Sequence, residues 1–189
     1  MSVKAVFVGM PGSGKTTVGR LVAQSLGVEF ADSDELIERT AGRTVPEIFA
    51  DSGERGFRKI EAEVIAKALE DFDGVLSLGG GAILTESTRG VLLGHPVFLI
   101  DVREEELVRR LVHSSTVRPL VQHDPVRQVA ELHAARGSLY RQVATHTVAS
   151  DSGPVVGVVR RVLDLMGHPE VVAATGKKKH TSHAKGETL

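Results

Sequence analysis

The chain has 189 residues, the length of one domain with a short extension, and its 41% hydrophobic and 25% charged residues are typical of a globular protein. Its net charge of −1 gives no electrostatic reason to expect nucleic acid or a membrane as a partner, and the absence of cysteine excludes disulfides, thiolate catalysis and cysteine-ligated metals. No apolar run approaches the roughly 18 residues of a membrane helix, and Ala5–Val8 is too short for a signal-peptide core, so we expect a cytoplasmic protein.

Strands and helices are predicted to alternate along the chain. A β-branched run at 4–8 leads into a glycine-rich loop and then a helix that stops at Gly27. The next predicted elements are a strand at 28–31, a helix capped by Ser33 or Asp34 that runs to about Ala41 and stops at Gly42, a helix at 46–50 that starts at a Thr44–Glu47 capping box, and a helix at 53–70. The remaining ones are a strand at 75–78, a helix at 86–93, a strand at 97–102, a helix ending near His113, a helix at 126–141, a strand at 145–149 and a helix at 155–166. This alternation predicts a three-layer α/β/α sandwich around a central parallel sheet.

The same pattern predicts one domain over residues 1–168. The polar stretch at about 113–124 contains prolines but no apolar periodicity, and we interpret it as a mobile lid. Residues 169–189 carry lysines and histidines among small polar residues, and this composition predicts a disordered tail.

Residues 9–16, Gly-Met-Pro-Gly-Ser-Gly-Lys-Thr, have the full spacing of a phosphate-binding loop, between a predicted strand and a predicted helix. Glycines let backbone amides turn toward phosphate oxygens, while Lys15 adds a positive charge and Thr16 offers a hydroxyl to Mg²⁺. The motif therefore predicts a nucleoside triphosphate site.

Several functions of such a site can be compared from the sequence. The chain contains no asparagine, so the Asn-Lys-x-Asp loop with which regulatory GTPases select guanine is excluded. Two apolar strands end in an acid, at Asp32 and at Asp101, and periodicity does not decide which of them would serve Mg²⁺. A small-molecule kinase would further need a base for the acceptor hydroxyl, groups that bind the acceptor and a lid against water.

Other residues could form the acceptor site. Asp32 and Asp34 are two apart at a strand end and could do different jobs, one facing the metal and one facing the acceptor; alternatively, Asp34 only caps a helix. Gly79, Gly80 and Gly81 follow a buried strand, where ligands of parallel α/β sheets bind and where glycines allow close approach. Three arginines could contact anions or could be solvated surface charges: Arg58, Arg118 and Arg136.

As an ordered set, these motifs resemble the shikimate kinase family over residues 1 to about 165. The resemblance is carried by the phosphate loop, Asp32-Ser-Asp34, Phe57-Arg58, the glycine triplet, Arg118-Pro-Leu120 and Arg136-x-x-x-Tyr140. It implies a P-loop NTPase fold of the nucleoside-monophosphate-kinase type and ATP-dependent phosphorylation of the 3-hydroxyl of shikimate, in chorismate and aromatic amino-acid biosynthesis. It also implies a monomer whose partners are shikimate and ATP.

For the acceptor side, the resemblance implies a role for each residue. Asp34 would hold and polarise the acceptor hydroxyl. Arg58 and Arg136 would grip the shikimate carboxylate in the bidentate manner that arginine favours. The backbone of Gly79, Gly80 and Gly81, chiefly Gly80, would line the ring.

For the nucleotide side, the resemblance implies that Lys15 stabilises charge on the γ-phosphate and that Arg118 reaches the nucleotide from the lid. Thr16 would hold Mg²⁺, with Asp32 contacting it directly or through water, and Asp101 would have no such role. The residues expected to contact ATP are Gly12, Ser13, Gly14, Lys15, Thr16, Thr17, Arg110 and Arg118, with Arg110 beside the adenine.

Two departures from the family pattern affect the nucleotide side. Residues 149–153 lack the arginine that members often carry there, and His113-Ser-Ser stands where lid glycines are usual. Two alternative functions stay open: a P-loop kinase of another small hydroxylic acceptor, such as gluconate, and a non-catalytic nucleotide-binding module.

Overall fold

The computed structural model describes residues 3–113, 124–151 and 153–169. In this part of the chain five parallel strands form one sheet in the order β2-β3-β1-β4-β5. The strands are β1 (Ala5–Val8), β2 (Glu29–Asp32), β3 (Gly74–Ser77), β4 (Val97–Asp101) and β5 (His146–Ala149).

Helices connect the strands and cover the sheet. They are α1 (Lys15–Leu26), α2 (Ser33–Ala41), α3 (Val45–Asp71), α4 (Glu86–Leu92), α5 (Glu104–Val112), α6 (Pro125–Val143) and α7 (Val155–Leu165). The predicted parallel α/β sandwich is confirmed. A 3₁₀ turn at Ala82–Leu84, between β3 and α4, was not predicted.

Predicted and observed boundaries agree to within a few residues. The two helices predicted at 46–50 and 53–70 are both present within α3, and they are separated at the predicted junction by Gly53, whose φ of 65° and ψ of −176° are not helical. At its start Thr44 and Glu47 form the predicted capping box, with the Thr44 amide donating to Glu47 Oε2 at 2.7 Å.

The main core lies between the sheet and its helices, and the central strands are buried throughout. Phe7 of β1 and Phe98 of β4 are almost fully buried, with ring centroids 5.7 Å apart. Each such side chain contributes about 1.5–3 kcal/mol by leaving water. A second cluster packs α2 onto α3 through Ile37, Ile48, Phe57 and Val64. This cluster fixes the two helices that carry Asp34 and Arg58.

The parallel arrangement brings three segments to one edge of the sheet, because the carboxyl ends of all strands point the same way. The phosphate loop follows β1, Asp32 ends β2, and the glycine triplet follows β3 shortly after Ser77. Ligands of open parallel sheets bind at this edge. Within residues 3–113, 124–151 and 153–169, no helix is long and apolar enough to cross a membrane.

Two predicted features lie outside the described residues. One is Arg118 with most of the predicted lid, and the other is the tail from residue 170 onward. The described residues on either side of 114–123 are His113 and Asp124. His113 follows α5, and the Asp124 side chain accepts the Arg127 amide at 3.1 Å and caps α6.

Candidate active site

The phosphate loop connects β1 to α1 and presents the positive end of that helix. Gly14 is the N-cap residue with φ 90°, and no side chain caps the first amides of α1. Those amides therefore stay available to an anion, as does the helix dipole. Gly9 cannot be replaced without strain, because a Cβ there would lie 2.7 Å from the Ile100 carbonyl oxygen. Lys15 begins the helix and lines the cleft beside the loop.

Three side-chain oxygens gather below the loop. The Thr16 hydroxyl donates to Asp32 Oδ2 at 3.1 Å and lies 3.3 Å from the hydroxyl of the buried Ser77. Asp101 is not part of this group; it is exposed and lines a small recess with His133 and Arg141. Of the two strand-end acids left open by the sequence, Asp32 is therefore the one beside Thr16.

This oxygen group fits Mg²⁺, which prefers oxygen ligands and usually keeps several waters while bridging to substrate phosphates. No three His, Asp or Glu side chains form a metal cage within residues 3–113, 124–151 and 153–169. A hydroxyl and one carboxylate next to a phosphate loop suit a cation that the nucleotide itself helps to hold.

Asp32 also caps α2, which corrects the prediction that Ser33 or Asp34 would do so. Asp32 has extended backbone angles, and its Oδ1 accepts the Asp34 amide at 3.1 Å. Asp34 is therefore the second residue of α2, within its first turn, and its carboxylate is not used for capping. The alternative in which Asp34 serves only as a cap is wrong.

The Asp34 side chain lines the cleft and is exposed to solvent, while the surrounding protein partly desolvates its carboxylate. This partial desolvation, together with the negative charge of Asp32, raises its pKa above the ordinary value, while the charge of Lys15 offsets part of the rise. A raised pKa makes the carboxylate a better proton acceptor than an ordinary surface aspartate.

The glycine triplet is required by the side chains that surround it. A Cβ on Gly79 would lie 2.6 Å from Asp34 Oδ1, and a Cβ on Gly81 would lie 2.5 Å from Arg58 Nη2. The Gly79 amide donates to the buried Ser33 hydroxyl at 2.8 Å, tying this loop to the end of β2. The triplet therefore lets Asp34 and Arg58 reach the same short stretch of backbone.

Arg58 is held from α3 by a carboxylate that the sequence did not single out. Its Nη1 donates to Glu61 Oε2 at 2.7 Å, and Glu61 is only 1% exposed. Burial raises the pKa of Glu61, and the Arg58 guanidinium opposes that rise. The i,i+3 spacing was the available signal, but it is shared by many surface pairs.

Arg136 approaches the triplet from α6. Its Nη1 donates to the Gly80 carbonyl at 3.1 Å, and the Tyr140 hydroxyl donates to the same oxygen at 2.5 Å. Tyr140 is 2% exposed and Arg136 is hydrogen-bonded to the Gly80 carbonyl, so the alternative that Arg136 is a solvated surface charge is wrong. Arg58 and Arg136 thus flank one glycine run from two different helices, with Asp34 beside them.

Beside these residues lies a cleft of about 460 Å³ between the phosphate loop and the glycine triplet. It is lined by Pro11, Gly12, Gly14, Lys15, Thr16, Thr17, Asp32, Asp34, Leu78, Gly79 and Gly80. The described part of the predicted site is therefore brought to one place: a phosphate-binding end, a carboxylate in the middle and two arginines at the glycine end.

The opposite side of the phosphate loop is organised by Arg110. Its guanidinium donates to the Ser13 carbonyl at 3.1 Å, to the Ser150 carbonyl, and to Glu106 Oε1 at 2.7 Å. The two flanking arginines Arg109 and Arg110 lower the pKa of Glu106 to about 2. Arg110 thus connects the phosphate loop to the loop after β5, where the sequence lacks the arginine common in the family.

A family model described as shikimate kinase matches residues 11–167. The chain is 45% identical to the shikimate kinase of Mycobacterium tuberculosis (strain ATCC 25177 / H37Ra), covering 89% of this chain and 96% of that one. It is 46% identical to the shikimate kinase of Mycobacterium avium (strain 104), covering 86% and 93%.

Solved structures agree with these relatives. Shikimate kinase from Acinetobacter baumannii in complex with shikimate superposes with a TM-score of 0.76 at 35% identity, covering 93% of this chain and 95% of that one. A gluconokinase from Sinorhizobium meliloti gives a TM-score of 0.53 at 18% identity, covering 95% and 97%, a likeness of fold alone.

Proposed function

Because the chain belongs to the shikimate kinase family, we propose that it transfers the γ-phosphoryl group of ATP to the 3-hydroxyl of shikimate, giving shikimate 3-phosphate and ADP. The observation that carries the proposal is the convergence of Asp34, Arg58 and Arg136 on the glycine triplet, next to a phosphate-binding loop. An anionic acceptor with a reactive hydroxyl matches this arrangement.

Arg58 and Arg136 bind the carboxylate of shikimate in this proposal. Two guanidinium groups, one at Gly80 and one at Gly81, can each offer a charge-assisted hydrogen bond, and the planar donor fork of arginine suits a carboxylate. Glu61 supports the site because its salt bridge holds the Arg58 guanidinium against Gly81. Gly79 and Gly80 line the remaining wall of the acceptor site.

Asp34 orients the 3-hydroxyl toward the phosphate loop. As the hydroxyl oxygen bonds to the γ-phosphorus, its proton passes to the Asp34 carboxylate, and the bond from that phosphorus to the β–γ bridging oxygen breaks to release ADP. Phosphoryl transfer has a loose transition state with little proton transfer, so orientation is a large part of the contribution of Asp34.

The loop amides and Lys15 hold the β- and γ-phosphates, with Gly12, Ser13, Gly14 and Thr17 completing the predicted contacts. Mg²⁺, when bound, supplies charge neutralisation on the transferring phosphate. Thr16 and Asp32 are the residues that would hold it, and Ser77 keeps the Thr16 hydroxyl oriented. Arg118 remains the predicted further cation on the nucleotide.

The two alternatives have less support. Likeness to a gluconokinase extends to the fold only, at 18% identity. A non-catalytic nucleotide-binding module would have no use for a carboxylate of raised pKa between a phosphate loop and two arginines. We further propose a cytoplasmic monomer, which is the expectation drawn from the sequence.

An ADP-release assay with four acceptors tests the proposal: shikimate, gluconate, a nucleoside monophosphate and water. We expect ADP release that depends on shikimate, with the phosphate of the product on the 3-oxygen by phosphorus NMR. Lys15→Met is the matched control for contaminating kinases. Faster turnover with gluconate, or ADP release without any acceptor, would reject the proposal.

A further inference from the structure

The Gly80 carbonyl oxygen receives two hydrogen bonds from successive turns of α6. Tyr140 donates through its hydroxyl at 2.5 Å, and Arg136 donates through Nη1 at 3.1 Å. The two donors differ in their anchoring. The Tyr140 ring is part of the main hydrophobic core, whereas the Arg136 side chain is only partly buried and its charge acts on the Glu61 carboxylate beside Arg58.

The direction of the Tyr140 hydrogen bond is fixed. Burial raises the pKa of Tyr140 to about 12, so the phenol stays protonated near neutral pH, and a carbonyl oxygen can only accept. The phenol is therefore a permanent donor to Gly80 from the core of the protein.

Hydrogen bonds to successive carbonyls orient the peptide groups of the glycine triplet. The Gly79 carbonyl accepts the Ala82 amide at 3.1 Å, and the Gly81 carbonyl accepts the Leu84 amide at 3.0 Å. Between them, the Gly80 carbonyl accepts only from Arg136 and Tyr140 of α6 among the residues that the structure describes. In a trans peptide the N–H points away from the carbonyl, so the bond to Gly80 also sets the direction of the Gly81 amide.

The amides of Gly80 and Gly81 have no hydrogen-bond partner among the residues that the structure describes. The Gly80 amide shares a peptide group with the Gly79 carbonyl, and the Gly81 amide shares one with the Gly80 carbonyl. Because glycine backbone reorients more easily than that of other residues, each amide keeps one direction only while the carbonyl of its peptide group is hydrogen-bonded. In addition, Arg136 uses its Nη1 group to donate to the Gly80 carbonyl. If the Arg136 guanidinium turns toward the carboxylate of the acceptor, the Gly80 carbonyl keeps a hydrogen bond only through Tyr140.

We propose that Tyr140 is a positioning residue for the phosphate acceptor: its hydroxyl holds the Gly80 carbonyl, which orients the neighbouring amides and leaves Arg136 available to the carboxylate of the acceptor. This inference rests on the proposed function. Tyr140 itself does not touch the acceptor, because its hydroxyl is occupied by the Gly80 carbonyl and its ring is buried.

Tyr140→Phe tests the inference, since it removes one hydroxyl and keeps the ring. A lost hydrogen bond of ordinary strength predicts a shikimate KM raised about 3- to 10-fold, with the ATP KM unchanged. Thr145→Val is the matched control, because it removes another hydroxyl that donates to a backbone carbonyl, that of Val97 at 3.0 Å, away from the cleft. It should lower the melting temperature and leave both KM values unchanged.

A spectroscopic readout is available because the chain has one tyrosine and no tryptophan. Intrinsic fluorescence therefore comes from Tyr140 alone, and we expect it to change saturably when shikimate is added to the wild-type protein. An unchanged shikimate KM in Tyr140→Phe, an equal rise in both KM values, or a flat fluorescence titration would overturn the inference. If the wild-type protein does not phosphorylate shikimate at all, the proposed function fails instead, so the two failures are distinguishable.

Discussion

Replacing Gly81 by alanine should displace the Arg58 guanidinium while the arginine itself is not mutated. A Cβ at position 81 would lie 2.5 Å from Nη2, 2.7 Å from Nη1 and 2.9 Å from Cζ of Arg58. All three contacts are too short for a real Cβ, and all three atoms belong to the far end of a flexible side chain. The guanidinium is therefore expected to move while the backbone stays in place.

The size of the effect follows from the bond that Arg58 would lose. A charge-assisted hydrogen bond to a carboxylate contributes about 1.5–3 kcal/mol, which corresponds to a rise of about 10- to 100-fold in the shikimate KM. The ATP KM should not change, because Arg58 lies at the glycine end of the cleft. The melting temperature should fall to the extent that the displaced Nη1 loses its salt bridge to the buried Glu61 carboxylate.

Steady-state kinetics with each substrate varied in turn measure this effect, together with thermal unfolding. Gly90→Ala is the matched control: a Cβ there meets nothing within 4 Å, and alanine favours the interior of α4. In a double-mutant cycle, Gly81→Ala should add nothing to Arg58→Ala. A normal shikimate KM in Gly81→Ala, or full additivity in the cycle, would refute the proposed role of the triplet.

Four further substitutions are informative. Lys15→Met should abolish phosphoryl transfer with the fold intact by circular dichroism; near-normal turnover would rule out the kinase. Arg136→Ala and Arg58→Ala should each raise the shikimate KM about 10- to 100-fold. Only Arg58→Ala should also lower the melting temperature, because it leaves the buried Glu61 carboxylate unpaired, whereas Tyr140 still satisfies Gly80 after Arg136→Ala. The ionised form of Asp34 is the active one, so kcat/KM should fall as the pH is lowered through the pKa of Asp34. Because that pKa is raised, the fall should begin at a higher pH than for an ordinary aspartate. A pH profile that Asp34→Asn leaves unchanged would contradict this prediction.

The fold was predictable because its signals are local. Strand and helix patterns alternate clearly, and Gly27, Gly42 and the Thr44–Glu47 capping box mark helix ends where the structure has them. The phosphate loop was predictable for the same reason, since its spacing, strand and helix lie within one short segment. The order of the strands, with β1 in the centre, depends on long-range pairing that the sequence pattern does not encode.

The sequence predicted residues that the structure brings together, but not the residues that hold them in place. The resemblance to the shikimate kinase family indicated Asp34, Arg58 and Arg136, whereas Glu61 has the pattern of an ordinary charge on a long helix, and only the structure shows that it is buried against Arg58. The cap of α2 was misplaced because Asp32, Ser33 and Asp34 are all good caps, and only the end of β2 determines which one has extended backbone angles.

The kcat of Asp34→Asn measures most directly whether the Asp34 carboxylate faces the reacting hydroxyl. Asparagine keeps the size of the side chain and removes the basic oxygen, and Asp32 continues to cap α2. A group that accepts the proton contributes about 10²–10⁴-fold, and the loose transition state of phosphoryl transfer favours the lower half of that range. We predict a kcat lower by about 10²–10³-fold with normal ATP affinity and melting temperature. A kcat close to that of the wild type would contradict the placement of Asp34 at the reacting hydroxyl.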